Sequence, residues 1–220
     1  MFAGSIVALV TPFIDDQVDE AALGRMIEFH VAGGTAAIVP CGTTGESATF
    51  SHAEQYDTIK RVVELIDGRL PVIAGAGSNS TKEAVQLAQA AERAGANGFL
   101  SVTPYYNKPT QDGLVAHYTA IGEAVDLPMV LYNVPGRTGC NLLPETAARI
   151  AERVRVDSVK EASGSLTQAQ QLIDLGIRVL SGEDALNFPL YCLGAVGAIS
   201  VVANFAPRLG ADLYAAVQRQ

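Results

Sequence analysis

PMVLYNVPGRTGCNLLPETAARIAERVRVDSVKEASG, residues 128–164, holds one complete strand–helix–strand unit. PMVLYNV (128–134) is a short, continuous apolar run without strict alternation. That is the mark of a strand covered on both faces of a parallel sheet. VDSVKEA (156–162) reads as the next strand. Between them the pattern predicts a helix over 144–152. The same rhythm extends both ways along the chain. Strands are expected at 5–10, 36–40, 71–76, 98–103, 178–182 and 197–202. Helices are expected at 19–31, 51–66, 81–94, 111–124, 166–175, 185–192 and 207–218. Ser51 with Glu54 three residues later forms a capping box, and Gly95 sits where a helix C-terminus wants a glycine. Eight βα units in 220 residues predict a single-domain (β/α)8 TIM barrel over 1–220, within the known size range of that fold. The competing doubly wound sheet would carry GxGxxG after a strand. The nearest stretch, GAGSNS (75–80), lacks the third glycine.

Composition narrows the function. Hydrophobic residues make up 49% of the chain and charged residues 17%, enough apolar material for a large core. The formal net charge of −8 argues against nucleic acid or an anionic membrane as partner, because both need clustered Lys and Arg. Cys41, Cys140 and Cys192 are far apart and form no CxxC, so they are expected to be buried free thiols. His30, His52 and His117 lack metal-ligand spacing, so no metal is expected. The N-terminus, MFAGSIVALVTPF, has no basic region ahead of a long apolar run. No segment reaches the roughly 18 uncharged apolar residues of a membrane span. A cytoplasmic protein is expected.

In a barrel the active site forms at the C-terminal ends of the strands. Those ends read CGTTGES (41–47), TPYYNKP (103–109), YNVPGRTG (132–139), KEASG (160–164) and SGED (181–184). Hydroxyls, glycines and one lysine recur there. Lys160 ends an apolar strand. Desolvation favours a neutral amine, and a neutral amine can attack a ketone. The same lysine could instead pair with Glu161. Tyr132, on the neighbouring strand, could shuttle protons or be a core tyrosine. Thr43 and Thr44 sit in a glycine-flanked turn suited to a carboxylate, or simply to the turn. Arg137 offers a fork for a second carboxylate, or is a solvated loop residue.

Taken together in this order, GTTGES, TPYYNKP, YNVPGRTG, VKEASG and LSGED resemble the dihydrodipicolinate synthase family over residues 2–206. The resemblance implies that Lys160 forms a Schiff base with pyruvate and that no cofactor is needed. The adduct would then condense with L-aspartate 4-semialdehyde to give 4-hydroxy-tetrahydrodipicolinate, on the path to diaminopimelate and lysine. It assigns Tyr132, Thr43 and Tyr106 to a proton relay, with Tyr106 reaching in from a neighbouring subunit. It assigns Thr44 to the pyruvate carboxylate, Arg137 to the carboxylate of the aldehyde, and Gly182 and Ile199 to backbone positions near pyruvate. Ser47, Ala48, His52, Asn79, Glu83 and Tyr105 match a lysine feedback site, whereas Gln55 stands where many regulated members have a histidine. Weak or absent inhibition by lysine is therefore expected. The family usually continues into a C-terminal helical domain that this sequence does not include. Leu209, Leu213 and Val217 form an apolar stripe on the last helix, with Phe205 just before it. A homodimer is expected rather than the tetramer usual in the family. Two other functions remain compatible with the lysine barrel: a related pyruvate-dependent aldolase, such as N-acetylneuraminate lyase or a sugar-acid aldolase, and a truncated, non-catalytic barrel. Arg137 disfavours the first and the retained Lys160, Tyr132 and Thr43 disfavour the second.

Overall fold

The computed structural model describes residues 1–219; Gln220, the last residue of the expected domain, lies outside them. Among the described residues eight parallel strands form one sheet. They are β1 (Gly4–Ala8), β2 (Ala37–Val39), β3 (Ile73–Gly75), β4 (Gly98–Val102), β5 (Met129–Asn133), β6 (Val156–Glu161), β7 (Val179–Ser181) and β8 (Gly197–Ser200). The helices that alternate with them are α1 (Glu20–Gly33), α2 (His52–Ile66), α3 (Thr81–Arg93), α4 (Gln111–Gly122), α5 (Pro144–Ala151), α6 (Leu166–Asp174), α7 (Asn187–Leu193) and α8 (Pro207–Gln218). β1 pairs with both β8 and β2. Between β2 and β3 the amide of Ile38 donates to the Pro71 carbonyl and the amide of Gly75 to the Pro40 carbonyl, each at 3.0 Å. The sheet therefore closes on itself, and the fold is the expected TIM barrel.

The strands other than β6 are apolar on both sides because they separate two apolar spaces; β6 turns Ser158 and Lys160 inward. Ile6, Val39, Ile73, Leu100, Val130, Leu180 and Ile199 point inward, with Phe2 among them. Val7, Ile38, Ala74, Phe99, Leu131, Val159, Val179 and Ala198 point outward, against the helices. Phe2 is tied to the barrel by its backbone. Its amide donates to Asp157, and its carbonyl accepts from Arg178, which itself pairs with Asp157 at 3.0 Å. The expected capping box is complete: the Ser51 hydroxyl accepts from the Glu54 amide and the Glu54 carboxylate accepts from the Ser51 amide.

Some features differ from expectation. A hairpin of Phe13–Ile14 and Gln17–Val18 precedes α1; its two turn residues, Asp15 and Asp16, both have positive φ. The pattern is too short for alternation to register. Pro135–Thr138 forms one helical turn where a loop was expected. Cys41 and Cys140 are buried free thiols, but Cys192 is exposed. α7 buries Leu190 and Tyr191, which turns the next residue outward. On α8, Leu213 and Val217 pack on the core while Leu209, and Phe205 just before the helix, face solvent. Among the described residues no helix is long and apolar enough to cross a membrane.

Gly75 is fixed by close approach. A Cβ at Gly75 would be driven into the carbonyl oxygen and carbon of Cys41. Gly75→Ala is expected to lower stability by about 3 kcal/mol, because backbone on either side must move. Urea unfolding checks this.

Candidate active site

β5 and β6 lie in register with Tyr132 opposite Lys160 and Asn133 opposite Glu161. The period of two then decides everything about this pair of strands. Tyr132 and Lys160 face the barrel interior; Asn133 and Glu161 face the helices. Lys160 is 6% exposed, and its Nζ lies 4.2 Å from the centroid of the Tyr132 ring. No carboxylate lies within ion-pair distance of it among the described residues. The alternative of a Lys160–Glu161 pair is excluded by geometry, since the two side chains leave the strand on opposite sides. Burial lowers the Lys160 amine to about 8, opposed by the Asp184 carboxylate and aided by the Arg137 guanidinium. Burial raises the Tyr132 phenol, opposed by Arg137 and aided by Glu183.

A cavity of about 410 Å³ opens beside this pair, and Thr43, Tyr132 and Arg137 all stand on its wall. Lys160 is not on the wall; it adjoins the cavity through the ring of Tyr132. Arg137 is presented by the helical turn Pro135–Thr138. Thr44 is half-buried in the turn that carries Thr43, close to Gly45, whose carbonyl accepts from the Thr11 hydroxyl at 2.8 Å. Gly182 leaves room for the lysine: a Cβ there would lie 3.1 Å from Lys160 Cγ and 2.8 Å from Ala162 Cβ. Ile199 is buried in the barrel interior, in register with Ile6. Tyr106 stands apart. It is 89% exposed, with a φ of 73°, and does not line the cavity of its own chain. No hydrogen bond joins the hydroxyls of Tyr132 and Thr43 among the described residues.

The second set of residues lines the same cavity. Ser47, Ala48, His52, Gln55, Glu83 and Tyr105 are on its wall. His52 Nε2 lies 2.8 Å from one Glu83 oxygen, and the Ser78 hydroxyl donates to the other. Asn79 Nδ2 donates to the Tyr105 carbonyl at 3.2 Å. Gln55 is buried and donates to the Gly75 carbonyl at 2.8 Å, so it holds α2 against β3.

Several residues of this region carry no signal in the sequence beyond being polar. Asp184 accepts from the amides of Val201 and Val202 at 2.9 and 3.0 Å, tying the turn after β7 to the end of β8. The Thr138 hydroxyl donates to the carbonyl of Cys140 at 3.0 Å, and the Thr138 carbonyl accepts from the Tyr106 amide at 3.2 Å. Asn133, Asn141 and Gln168 surround Glu161. Apart from the local Thr138–Cys140 contact, only tertiary structure brings these partners together.

Residues 1–219 match the dihydrodipicolinate synthetase family. The chain is 56% identical over 216 residues to the 4-hydroxy-tetrahydrodipicolinate synthase of Geobacter sulfurreducens, covering 97% of this chain and 74% of that protein. It is similar to the crystal structure of dihydrodipicolinate synthase from Aquifex aeolicus, with a TM-score of 0.97 at 43% identity, over 99% of this chain and 76% of that one. The corresponding enzyme of Thermotoga maritima superposes with a TM-score of 0.97 at 45% identity, over 100% of this chain and 77% of that one.

Proposed function

The chain belongs to the dihydrodipicolinate synthetase family, and on that footing we propose that it is the lyase that condenses pyruvate with L-aspartate 4-semialdehyde to 4-hydroxy-tetrahydrodipicolinate. The observation that carries the chemistry is Lys160: a buried amine without an ion-pair partner among the described residues, held against Tyr132 at the C-terminal end of β6. Lowered to about 8, this amine is neutral in a useful fraction of molecules near neutral pH. It adds to C2 of pyruvate, water leaves, and an iminium forms. Loss of a C3 proton gives the enamine, whose C3 attacks the aldehyde carbon of the second substrate. The amino group of that substrate then adds to C2 and expels Lys160. The iminium itself is the electron sink, so no cofactor enters the scheme.

Tyr132 and Thr43 serve as the proton relay, completed by Tyr106 from a neighbouring copy. The outward position of Tyr106 supports that assignment. Thr44 and its turn take the pyruvate carboxylate, while Gly182 and Ile199 supply backbone beside it. Arg137 takes the carboxylate of the aldehyde. We take the assembly to be at least a homodimer, which light scattering on the purified chain tests; an active monomer would remove the role of Tyr106. We place the enzyme in the cytoplasm, where pyruvate is available. The second cluster, Ser47 to Tyr105, is a candidate lysine site with Gln55 committed to the Gly75 carbonyl. Titrated lysine is therefore expected to inhibit weakly, and potent micromolar inhibition would refute this.

A coupled assay with pyruvate and L-aspartate 4-semialdehyde, run beside N-acetylmannosamine as rival acceptor, tests the function. Turnover with the sugar alone would assign the chain to the N-acetylneuraminate lyase reading. A charge-assisted, two-pronged contact is worth about 1.5–3 kcal/mol. Arg137→Ala is therefore expected to reduce kcat/KM for the aldehyde roughly tenfold or more while pyruvate still traps on Lys160. Parallel loss of both would make Arg137 a structural residue.

A further inference from the structure

We propose that Glu161 is a positioning residue for the aldehyde half of the reaction, acting through a buried amide network that holds the Arg137 turn against the lysine strand. The inference rests on the assignment of Arg137 given above.

Glu161 is 3% exposed, a carboxylate set between barrel and helices. Three donors converge on it. Asn133 Nδ2 and Gln168 Nε2 both donate to Oε2 at 3.0 Å, and the Ser163 amide donates to Oε1 at 2.6 Å. None of these donors is a cation. Burying a carboxylate costs several kcal/mol before compensation, so its partners must be well placed. An apolar residue would fill the same layer at lower cost, as Val159 does one turn of the pleat earlier.

The donors connect two stretches of chain that matter for the chemistry. Asn133 directly follows Tyr132. Its Nδ2 also donates to Asn141 Oδ1 at 2.9 Å, and its Oδ1 accepts from the Leu142 amide at 2.9 Å. The side chain of Asn133 thus clasps the far end of the segment that bears Arg137. Asn141 Nδ2 in turn donates to Gln168 Oε1 at 2.8 Å, on α6. Glu161 is the acceptor on which both amides of this ring converge, and it is covalently next to Lys160. It acts through geometry: the charges that move the Lys160 amine are those of Asp184 and Arg137.

Glu161→Gln is nearly isosteric but supplies an NH₂ group. In one orientation that group faces the amides of Asn133 and Gln168; flipped, it faces the amide of Ser163. Either way donor meets donor. The variant is expected to trap pyruvate on Lys160 under borohydride with an unchanged pH profile, while kcat/KM for the aldehyde falls tenfold or more. Asn141→Ala cuts the same ring from the loop side without touching β6, and is expected to reproduce the split; it also serves if the first variant does not fold. Arg137→Ala is measured alongside. If Arg137→Ala impairs aldehyde use and neither network variant does, the positioning role is overturned and the Arg137 assignment stands. If Arg137→Ala leaves aldehyde use intact, that assignment has failed instead. If pyruvate trapping falls in step with aldehyde use in both network variants, the network supports the fold as a whole and the proposal is overturned.

Discussion

Lys160→Met is expected to abolish covalent trapping of pyruvate, to reduce turnover by roughly 10⁴-fold or more, and at the same time to make the protein more stable. The two effects have one cause. Burial lowers the amine from 10.5 to about 8, a shift worth on the order of 3 kcal/mol. Below pH 8 both folded and unfolded chains carry the ammonium, so the folded state bears the whole burial cost. That cost fades as pH rises from 8 towards 10.5 and is gone above it. Methionine fills similar volume without charge, so at pH 7 the variant should gain stability of that order. The same shift sets the rate profile: imine formation should rise with pH and level off above about 8. Urea unfolding, borohydride trapping and peptide mass mapping test the set. A stable adduct on another lysine would sink the nucleophile assignment. A variant less stable than the parent would mean that Lys160 holds the fold together.

Acid is expected to unfold the protein through two histidines remote from the chemistry. His30 and His117 are buried, each with one ring nitrogen near a threonine hydroxyl, Thr35 at 3.0 Å and Thr81 at 2.9 Å. The other nitrogen of each, Nε2, has no hydrogen-bond partner among the described residues. Desolvation lowers both rings from 6.5 to about 4. The unfolded chain gains its two protons as pH falls through 6.5, whereas the folded chain refuses them until about 4. Stability present above 6.5 is therefore lost progressively over that window. Between pH 7 and pH 5 the two together should remove about 4 kcal/mol. Urea midpoints at the two pH values measure this. The double variant His30→Leu, His117→Leu should flatten the slope. An unchanged slope in the variant would move the acid sensitivity elsewhere.

The barrel was legible because its signals are local. Continuous apolar runs such as PMVLYNV, separated by capped helices, need only near neighbours to be read. The number and order of the strands and the positions of the main helices follow from that pattern. Signals shorter than one period were not legible: the hairpin Phe13–Val18, the helical turn Pro135–Thr138, and the outward face of Cys192. The candidate site was legible as an inventory, since polar residues at strand ends stand out against apolar runs.

What each polar residue does was decided by register. Lys160 and Glu161 are neighbours in the chain and could have formed a pair. The alternation of side chains across a strand sends one into the barrel against Tyr132 and the other outward to Asn133 and Gln168. Gln168 lies on the helix after β6 and Asn141 in the segment after β5, and no sequence spacing says that they meet. The sequence by itself determined which segments are strands and helices and which residue types collect at their ends, because propensity, capping and apolar period act over a few residues. Only the closed sheet decided which side chains share a cavity and which share a buried network, because those contacts join residues far apart in the chain.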